Sequence, residues 1–301
     1  MKINNFYKGI LFTSLAAIIW GIATPFVKIG LNSIPPFSFL FLRCLITSII
    51  LFTVFEARIA KAPKVISYED KKTIALAGLT GVFLNIAFYF VGQDLTSVSD
   101  AGVIMSLGSI AVVAYAYFFR HERLSKLVYL GVILAFIGSL FIIGSPILSI
   151  GSGSIIGNVT LLGAVLSNVV SFFLLKNLAN RFSPLYLTYC FFIVSLPFAA
   201  PGFVLEFVQN PYWLSNISLS GYLALVYTVL GSSIIAYFFH SYGLKFLSAS
   251  HASVLGYLSG IIAVLASFVV LKEQLTIPFA IGTIIIIIGL FLAETRHRHT
   301  K

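Results

Sequence analysis

Ten apolar runs, each near the length that crosses about 30 Å of hydrocarbon at 1.5 Å per residue, dictate what this chain can fold into. They fall near residues 9–31, 38–55, 73–92, 98–119, 127–145, 155–176, 185–207, 218–243, 249–271 and 277–294. Lipid offers the backbone no hydrogen-bond partners, so runs of this length must close their bonds internally. The expected fold is an all-α integral membrane protein of ten transmembrane helices. Only 9% of residues are charged and the mean hydropathy is +1.04, whereas about a quarter of a soluble domain is charged.

Orientation follows from the cations, because cytoplasmic loops retain Lys and Arg. With both termini in the cytoplasm, sixteen of the nineteen basic residues fall on the inner side, from Lys2 and Lys8 to Arg298 and Lys301. Lys272 alone falls outside, and Lys28 and Arg43 lie within spans. The net charge of +10 is then topogenic and faces lipid headgroups, which excludes a nucleic-acid partner. The first run is too long for a cleavable signal and carries Trp20, Pro25 and Lys28, so it is expected to remain as span 1 in a multi-pass protein of the plasma membrane. Cys44 and Cys190 fall in spans 2 and 7, where they read as reduced packing residues.

The chain repeats. A shift of 151 residues lays Gly92, Ser97, Ser99, Ala101, Glu122, Gly131 and Gly138 on Gly243, Ser248, Ser250, Ala252, Glu273, Gly282 and Gly289. In the earlier part of each half the shift is 148, placing Gly9, Lys28 and Pro36 on Gly157, Lys176 and Pro184. Residues 1–145 and 155–301 are therefore two five-span units joined by the uncharged Gly/Ser-rich linker 146–154. Five is odd, so the second unit enters the membrane from the opposite side. Inverted repeats of this kind accompany alternating access to a site at mid-membrane.

Within this frame the stretch from Trp20 to Lys28 is unlike an anchor. Thr24 and Lys28 follow Trp20 at four-residue spacing on one face, and Pro25 removes the hydrogen bond to the Gly21 carbonyl, making it the expected hinge. Span 3 places Asn85 and Tyr89 on one face; span 6 offers Asn168, span 8 Tyr237 and span 9 Tyr257. A cavity of Trp20, Thr24, Asn85, Tyr89, Asn168, Tyr237 and Tyr257 suits a small solute with apolar and hydrogen-bonding parts, such as a neutral or aromatic amino acid.

Charges inside spans require partners. Lys28 or Arg43 is expected to pair with Asp94 or Asp100, across the short outer hairpin, as an outer gate. His240 and His251 are candidates for proton coupling, although facilitated transport or exchange is favoured because no carboxylate lies at mid-depth. The small residues of spans 5 and 10 read as packing stripes rather than a solute path. There is no nucleophile elbow, phosphate loop or Cys/His cluster at metal spacing, so neither catalysis, nor a metal, nor a cofactor is indicated.

Trp20-Gly21 with Lys28 and Arg43, the run from Thr96 to Ala101, Glu122-Arg123-Leu124 and the mirrored Lys272-Glu273-Gln274-Leu275 together resemble the EamA-type branch of the drug/metabolite transporter superfamily. The resemblance extends over nearly the whole chain. It implies two inverted five-helix halves around a central cavity and, usually, export of amino acids or related metabolites. Where family members commonly carry a proline in spans 4 and 9, this chain has Leu107-Gly108-Ser109-Ile110 and Leu258-Ser259-Gly260-Ile261. The tryptophan often found in span 6 is Asn168. These departures bear on substrate more than on fold. Import or exchange of nucleotide-type metabolites, and an intramembrane enzyme or lipid-handling protein, stand as alternatives; the expected assembly is a monomer or weak homodimer in the bilayer.

Overall fold

The computed structural model describes residues 5–59, 66–95, 98–120, 125–143, 155–271 and 277–294. These residues are helical throughout, apart from short connections, and no strand occurs among them. The linker 146–154 and the runs Glu122-Arg123-Leu124 and Lys272 to Leu275 lie outside the described residues.

Helices α1 (Asn5–Leu31) and α2 (Pro36–Ile59) come first. The third apolar run is divided into α3 (Tyr68–Gly78), a π-helical turn (Leu79–Leu84) and α4 (Asn85–Leu95). Next come α5 (Val98–Arg120), α6 (Lys126–Ile143), α7 (Ile155–Ala179) and α8 (Pro184–Gln209). The eighth run repeats the pattern of the third, as α9 (Leu219–Tyr227), a π-helical stretch (Thr228–Ile235) and α10 (Ala236–Gly243). Helices α11 (Ala249–Leu255), α12 (Tyr257–Leu271) and α13 (Ile277–Glu294) complete the chain. Among the described residues seven helical stretches are long and apolar enough to cross a membrane, and three further apolar helices, Leu107–Phe119, Lys126–Gly138 and Ala280–Leu292, are shorter.

The helix starts are written in serine. Ser67, Ser183, Ser218 and Ser248 each stand in extended backbone and accept the amide three residues on, from Asp70, Tyr186, Gly221 and His251. Each satisfies one of the amides that a helix N-terminus leaves free. Helix α2 lacks such a serine and instead receives a carboxylate from α8. Glu206 accepts the amides of Phe37 and Ser38, at 3.0 and 2.7 Å, and the Ser38 hydroxyl at 2.7 Å. A negative group there also complements the positive end of the helix dipole.

Lipid cannot drive helices together by the hydrophobic effect, so close backbone approach at small residues does that work. Helix α6 packs along α13, α2 along α8, α1 along α9, α10 and α12, and α7 along α4 and α5. A Cβ built at Gly138 would stand 2.7 Å from the Gly282 carbonyl oxygen, and one at Gly289 would stand 2.6 Å from that of Gly131. The small residues of α6 and α13 are thus packing residues, as the sequence indicates. Two more glycines behave alike: Gly92 would meet the Gly157 carbonyl and Gly243 the Gly9 carbonyl, both at 3.1 Å. Cys44 and Cys190 are free thiols, the first fully buried.

Candidate functional site

Both π-helical stretches lie at mid-length in their apolar runs and end at positions related by the 151-residue shift, Leu84 and Ile235. A π turn widens the helix and leaves carbonyls short of their usual donors, a feature frequent at functional sites. Side chains, most of them from neighbouring helices, reach these carbonyls. Along the first π turn and the end of α3, Ser171 of α7 donates to Ala77, Ser195 of α8 to Gly78 and Tyr237 of α10 to Gly81, at 3.2, 3.2 and 3.0 Å. Along the second, the Trp20 indole nitrogen donates to the Ser232 carbonyl at 3.1 Å, and the Ser233 hydroxyl to the Thr228 carbonyl at 2.9 Å.

Arg43 completes this arrangement. Its Nε donates to Ser233 Oγ at 2.7 Å and its Nη2 to Ser232 Oγ at 3.0 Å. The residue is 4% exposed. Around it the Trp20 ring meets Tyr237 edge-on at 5.6 Å and His240 at 5.1 Å, with Phe192 and Phe172 closing the far sides of Tyr237 and His240. The Tyr89 hydroxyl lies against the side chains of Thr24 and Gln93, and both Tyr89 and Tyr237 lie within the field of the Arg43 guanidinium. One cluster therefore gathers Trp20, Thr24, Tyr89 and Tyr237 with Arg43 and His240, residues the sequence assigned to three separate roles.

The structure places the remaining candidates as follows. Arg43 is partnered by hydroxyls of the second π stretch, not by Asp94, which is exposed near the end of α4; the side chain of Asp100 lies outside the described residues. Lys28, half-buried in the last turn of α1, makes no hydrogen bond or ion pair among the described residues. Asn85 is turned away from the cluster, its amide donating to the Ala164 carbonyl at 2.9 Å and so tying α4 to α7. Tyr257 is 4% exposed and packs with Ala135 of α6 and Ile286 of α13. His251 stays at the start of α11, its Nδ1 2.7 Å from Ser248 Oγ and its ring against Phe6. Pro25 is buried within an α1 that runs continuously from Asn5 to Leu31.

Asn168 is exposed, and its direction is informative. Leu162, Leu166 and Val170 make the exposed apolar stripe of α7. Asn168 stands two residues from Leu166, about 200° around the helix. Its neighbours on that far side, Leu161, Ala164, Ser171 and Phe172, are buried. The amide is thus exposed at the middle of the otherwise buried face of α7, away from the apolar stripe. Gly260, at the middle of the ninth run, is likewise exposed, with open space where a Cβ would stand.

Contacts missed by sequence reasoning cluster at the helix ends. Arg181, in the α7–α8 turn, forms a two-pronged pair with Asp70 at the start of α3, with Nη2 to Oδ2 at 2.7 Å. Lys176 Nζ donates to the carbonyls of Leu244 and Leu247 in the α10–α11 turn. The only signals for these were a capping Ser67-x-x-Asp70 pattern and the repeat that equates Lys28 with Lys176.

An all-helical chain with many apolar spans, cross-braced near mid-span around buried polar groups, defines the class of polytopic membrane proteins. Comparison with known proteins gives the family. Residues 7–144 and again 155–295 match the EamA-like transporter family, and the chain belongs to it. An uncharacterized transporter of Archaeoglobus fulgidus is 26% identical over 287 residues, covering 94% of this chain and 84% of its own length. The uncharacterized transporter YoaV of Bacillus subtilis is 24% identical, over 91% and 92% of the two chains. A protein crystal structure superposes with a TM-score of 0.77 at 19% identity, over 97% of this chain and 99% of its own, which establishes the likeness of fold.

Proposed function

We propose that this membrane transporter moves small metabolites, amino acids or related compounds, outward across the plasma membrane by alternating access. The solute site is the mid-membrane space bordered by Trp20, Thr24, Tyr89, Asn168 and Tyr237. The observation that carries this reading is Asn168, an exposed polar side chain at the middle of the otherwise buried face of α7, away from its exposed apolar stripe. The rings and hydroxyls of the Trp20, Tyr89 and Tyr237 cluster suit a solute with both an apolar and a polar part.

The architecture proposed with it is ten spans in two inverted halves, 1–145 and 155–301, with both termini cytoplasmic. Two things support the inversion. The family match occurs twice, and packing contacts recur in equivalent pairs, Gly92 on Gly157 with Gly243 on Gly9, and Gly138 on Gly282 with Gly289 on Gly131. Halves related by a two-fold axis would produce such pairs, and inverted repeats exchange conformations to open a central site alternately to each side. In this scheme Pro25 is the hinge of α1, and Lys28, Asp94 and Asp100 lie at the outer gate. Transport runs by facilitation or exchange, with His240 as the residue to examine for proton coupling.

Purified protein in liposomes tests the reading. Labelled amino acids preloaded inside are expected to leave faster than from protein-free vesicles, and Trp20→Ala is expected to cut that rate by about tenfold or more, as loss of a well-packed aromatic contact does. Equal rates with and without protein across the twenty amino acids would reject amino acids as the cargo.

A further inference from the structure

The guanidinium of Arg43 has no counter-charge among the described residues. Four carboxylates are fully described, and each is placed elsewhere. Asp70 is held by Arg181, Glu206 caps α2, and Asp94 and Glu69 are exposed at helix ends. Arg43 itself sits in a membrane-spanning helix and is 4% exposed, and its partners are two neutral hydroxyls. An ion held this way costs several kcal/mol unless charge or further hydrogen bonds compensate it. A guanidinium has five N–H donors. Among the described residues only Nε and one donor of Nη2 are engaged, so three remain, including both on Nη1.

These donors belong to the cluster proposed above as the solute site. Ser232 accepts from Arg43 through its hydroxyl and from the Trp20 indole through its carbonyl, so the cation and the Trp20 ring share one anchoring residue. We propose that Arg43 is a substrate-binding residue that holds the carboxylate of the transported solute, while Trp20, Tyr237 and His240 receive its apolar part. This rests on the transport reading above and narrows it to monocarboxylate-bearing solutes. One guanidinium balances one negative charge, and its remaining fork matches the two oxygens of a carboxylate. A phosphate monoester carries close to two charges and would leave one uncompensated.

Intrinsic fluorescence tests this, because the chain has two tryptophans and Trp213→Phe leaves Trp20 as the sole indole. That variant, in lipid nanodiscs, is titrated with phenylalanine, leucine, threonine and glutamine, and with their carboxamides, which lack the negative charge. At least one acid is expected to change Trp20 emission saturably, and to bind about tenfold or more tightly than its own amide, as a charge-assisted hydrogen bond requires. Arg43→Gln should bring that ratio near one, and Arg43→Lys should keep part of it. Amides that bind as well as the acids, an undiminished preference in Arg43→Gln, or no saturable response to any acid would each overturn the assignment. The acid-to-amide comparison needs no Arg43 variant, so misfolding of Arg43→Gln does not blunt it. Acids that bind beside Trp20 but never cross the liposome membrane would retain the anchor and reject transport. Efflux with no acid preference and no loss in Arg43→Gln would do the reverse.

Discussion

Arg43 Nε donates to Ser233 Oγ at 2.7 Å, and that hydroxyl passes its own hydrogen to the Thr228 carbonyl at 2.9 Å. Ser233 is thus the joint through which a cation of α2 stabilises the widened second π stretch. Removing it strips a charged donor and a carbonyl of their partner together. Ser233→Ala is expected to destabilise the protein by about 1–2 kcal/mol, the upper range for polar contacts between membrane helices. Reversible unfolding in mixed SDS micelles measures this, and a change near zero would show that water or lipid replaces the hydroxyl without cost.

Packing at the glycines gives a sharper contrast. A Cβ at Gly138 or Gly289 would press within 2.7 or 2.6 Å of a carbonyl oxygen on the facing helix, whereas one at Gly260 would meet nothing within 4 Å. Gly138→Ala and Gly289→Ala are each expected to cost about 1–3 kcal/mol, by similar amounts, through separation of α6 from α13. Gly260→Ala should stay within about 0.5 kcal/mol. Thermal denaturation followed by size-exclusion chromatography ranks the three. A gap between Gly138→Ala and Gly289→Ala of more than about 1 kcal/mol would argue against equivalent surroundings in the two halves.

Much of this was legible in the sequence, and the reasons are physical. Apolar run length sets where helices form, because lipid forces the backbone to bond within each run. The 148- and 151-residue shifts also marked glycines that the structure uses in matched pairs, since close helix approach tolerates nothing larger. What stayed hidden depends on rotation about each helix axis and on backbone state. Topology alone put Arg43 near Asp94, yet each residue turns its side chain by about 100° relative to the last, and Arg43 faces the serines of the eighth run. Asn85 and Tyr89 share a face, but Asn85 is spent on the Ala164 carbonyl. The π stretches have no compositional signature, so nothing in the chain announced that the Ser232 and Gly81 carbonyls would be reached by Trp20 and Tyr237.

Glu206 offers a test of charge at a helix end. Its carboxylate accepts three hydrogen bonds from Phe37 and Ser38 and so pins α8 to the start of α2. Glu206→Gln keeps one amide oxygen as acceptor and loses the charge, while Glu206→Ala loses everything. The alanine variant should cost about 1–2 kcal/mol, in the range for a lost N-cap with its dipole contribution, and the glutamine variant about half of that. The same SDS unfolding assay separates the two. Equal losses would mean that charge rather than hydrogen bonding accounts for the contact.

Lys176 ties the end of α7 to the α10–α11 turn, and its repeat mate Lys28 makes no equivalent bond among the described residues. The ammonium of Lys176 bridges the carbonyls of Leu244 and Leu247, holding the α10–α11 turn against α7. The 148-residue shift maps it on Lys28, and the 151-residue shift maps Leu244 on Gln93, but Lys28 makes no hydrogen bond to Gln93 among the described residues. Lys176→Met keeps most of the length of the side chain and removes its donors, so the turn should loosen and the fully buried Ser250, in the first turn of α11, should become reachable. In a background of Cys44→Ser and Cys190→Ser, a cysteine introduced at position 250 is expected to react with a membrane-impermeant maleimide at least about fivefold faster when Lys176 is replaced, the effect of loosening a contact worth about 1 kcal/mol. Lys28→Met should leave that rate unchanged, because its side chain does not touch the turn. An equal rate in all three backgrounds would show that the turn is held by its backbone bonds, Leu244 to His240 and Phe246 to Gly243, and that Lys176 is a passenger at the end of α7.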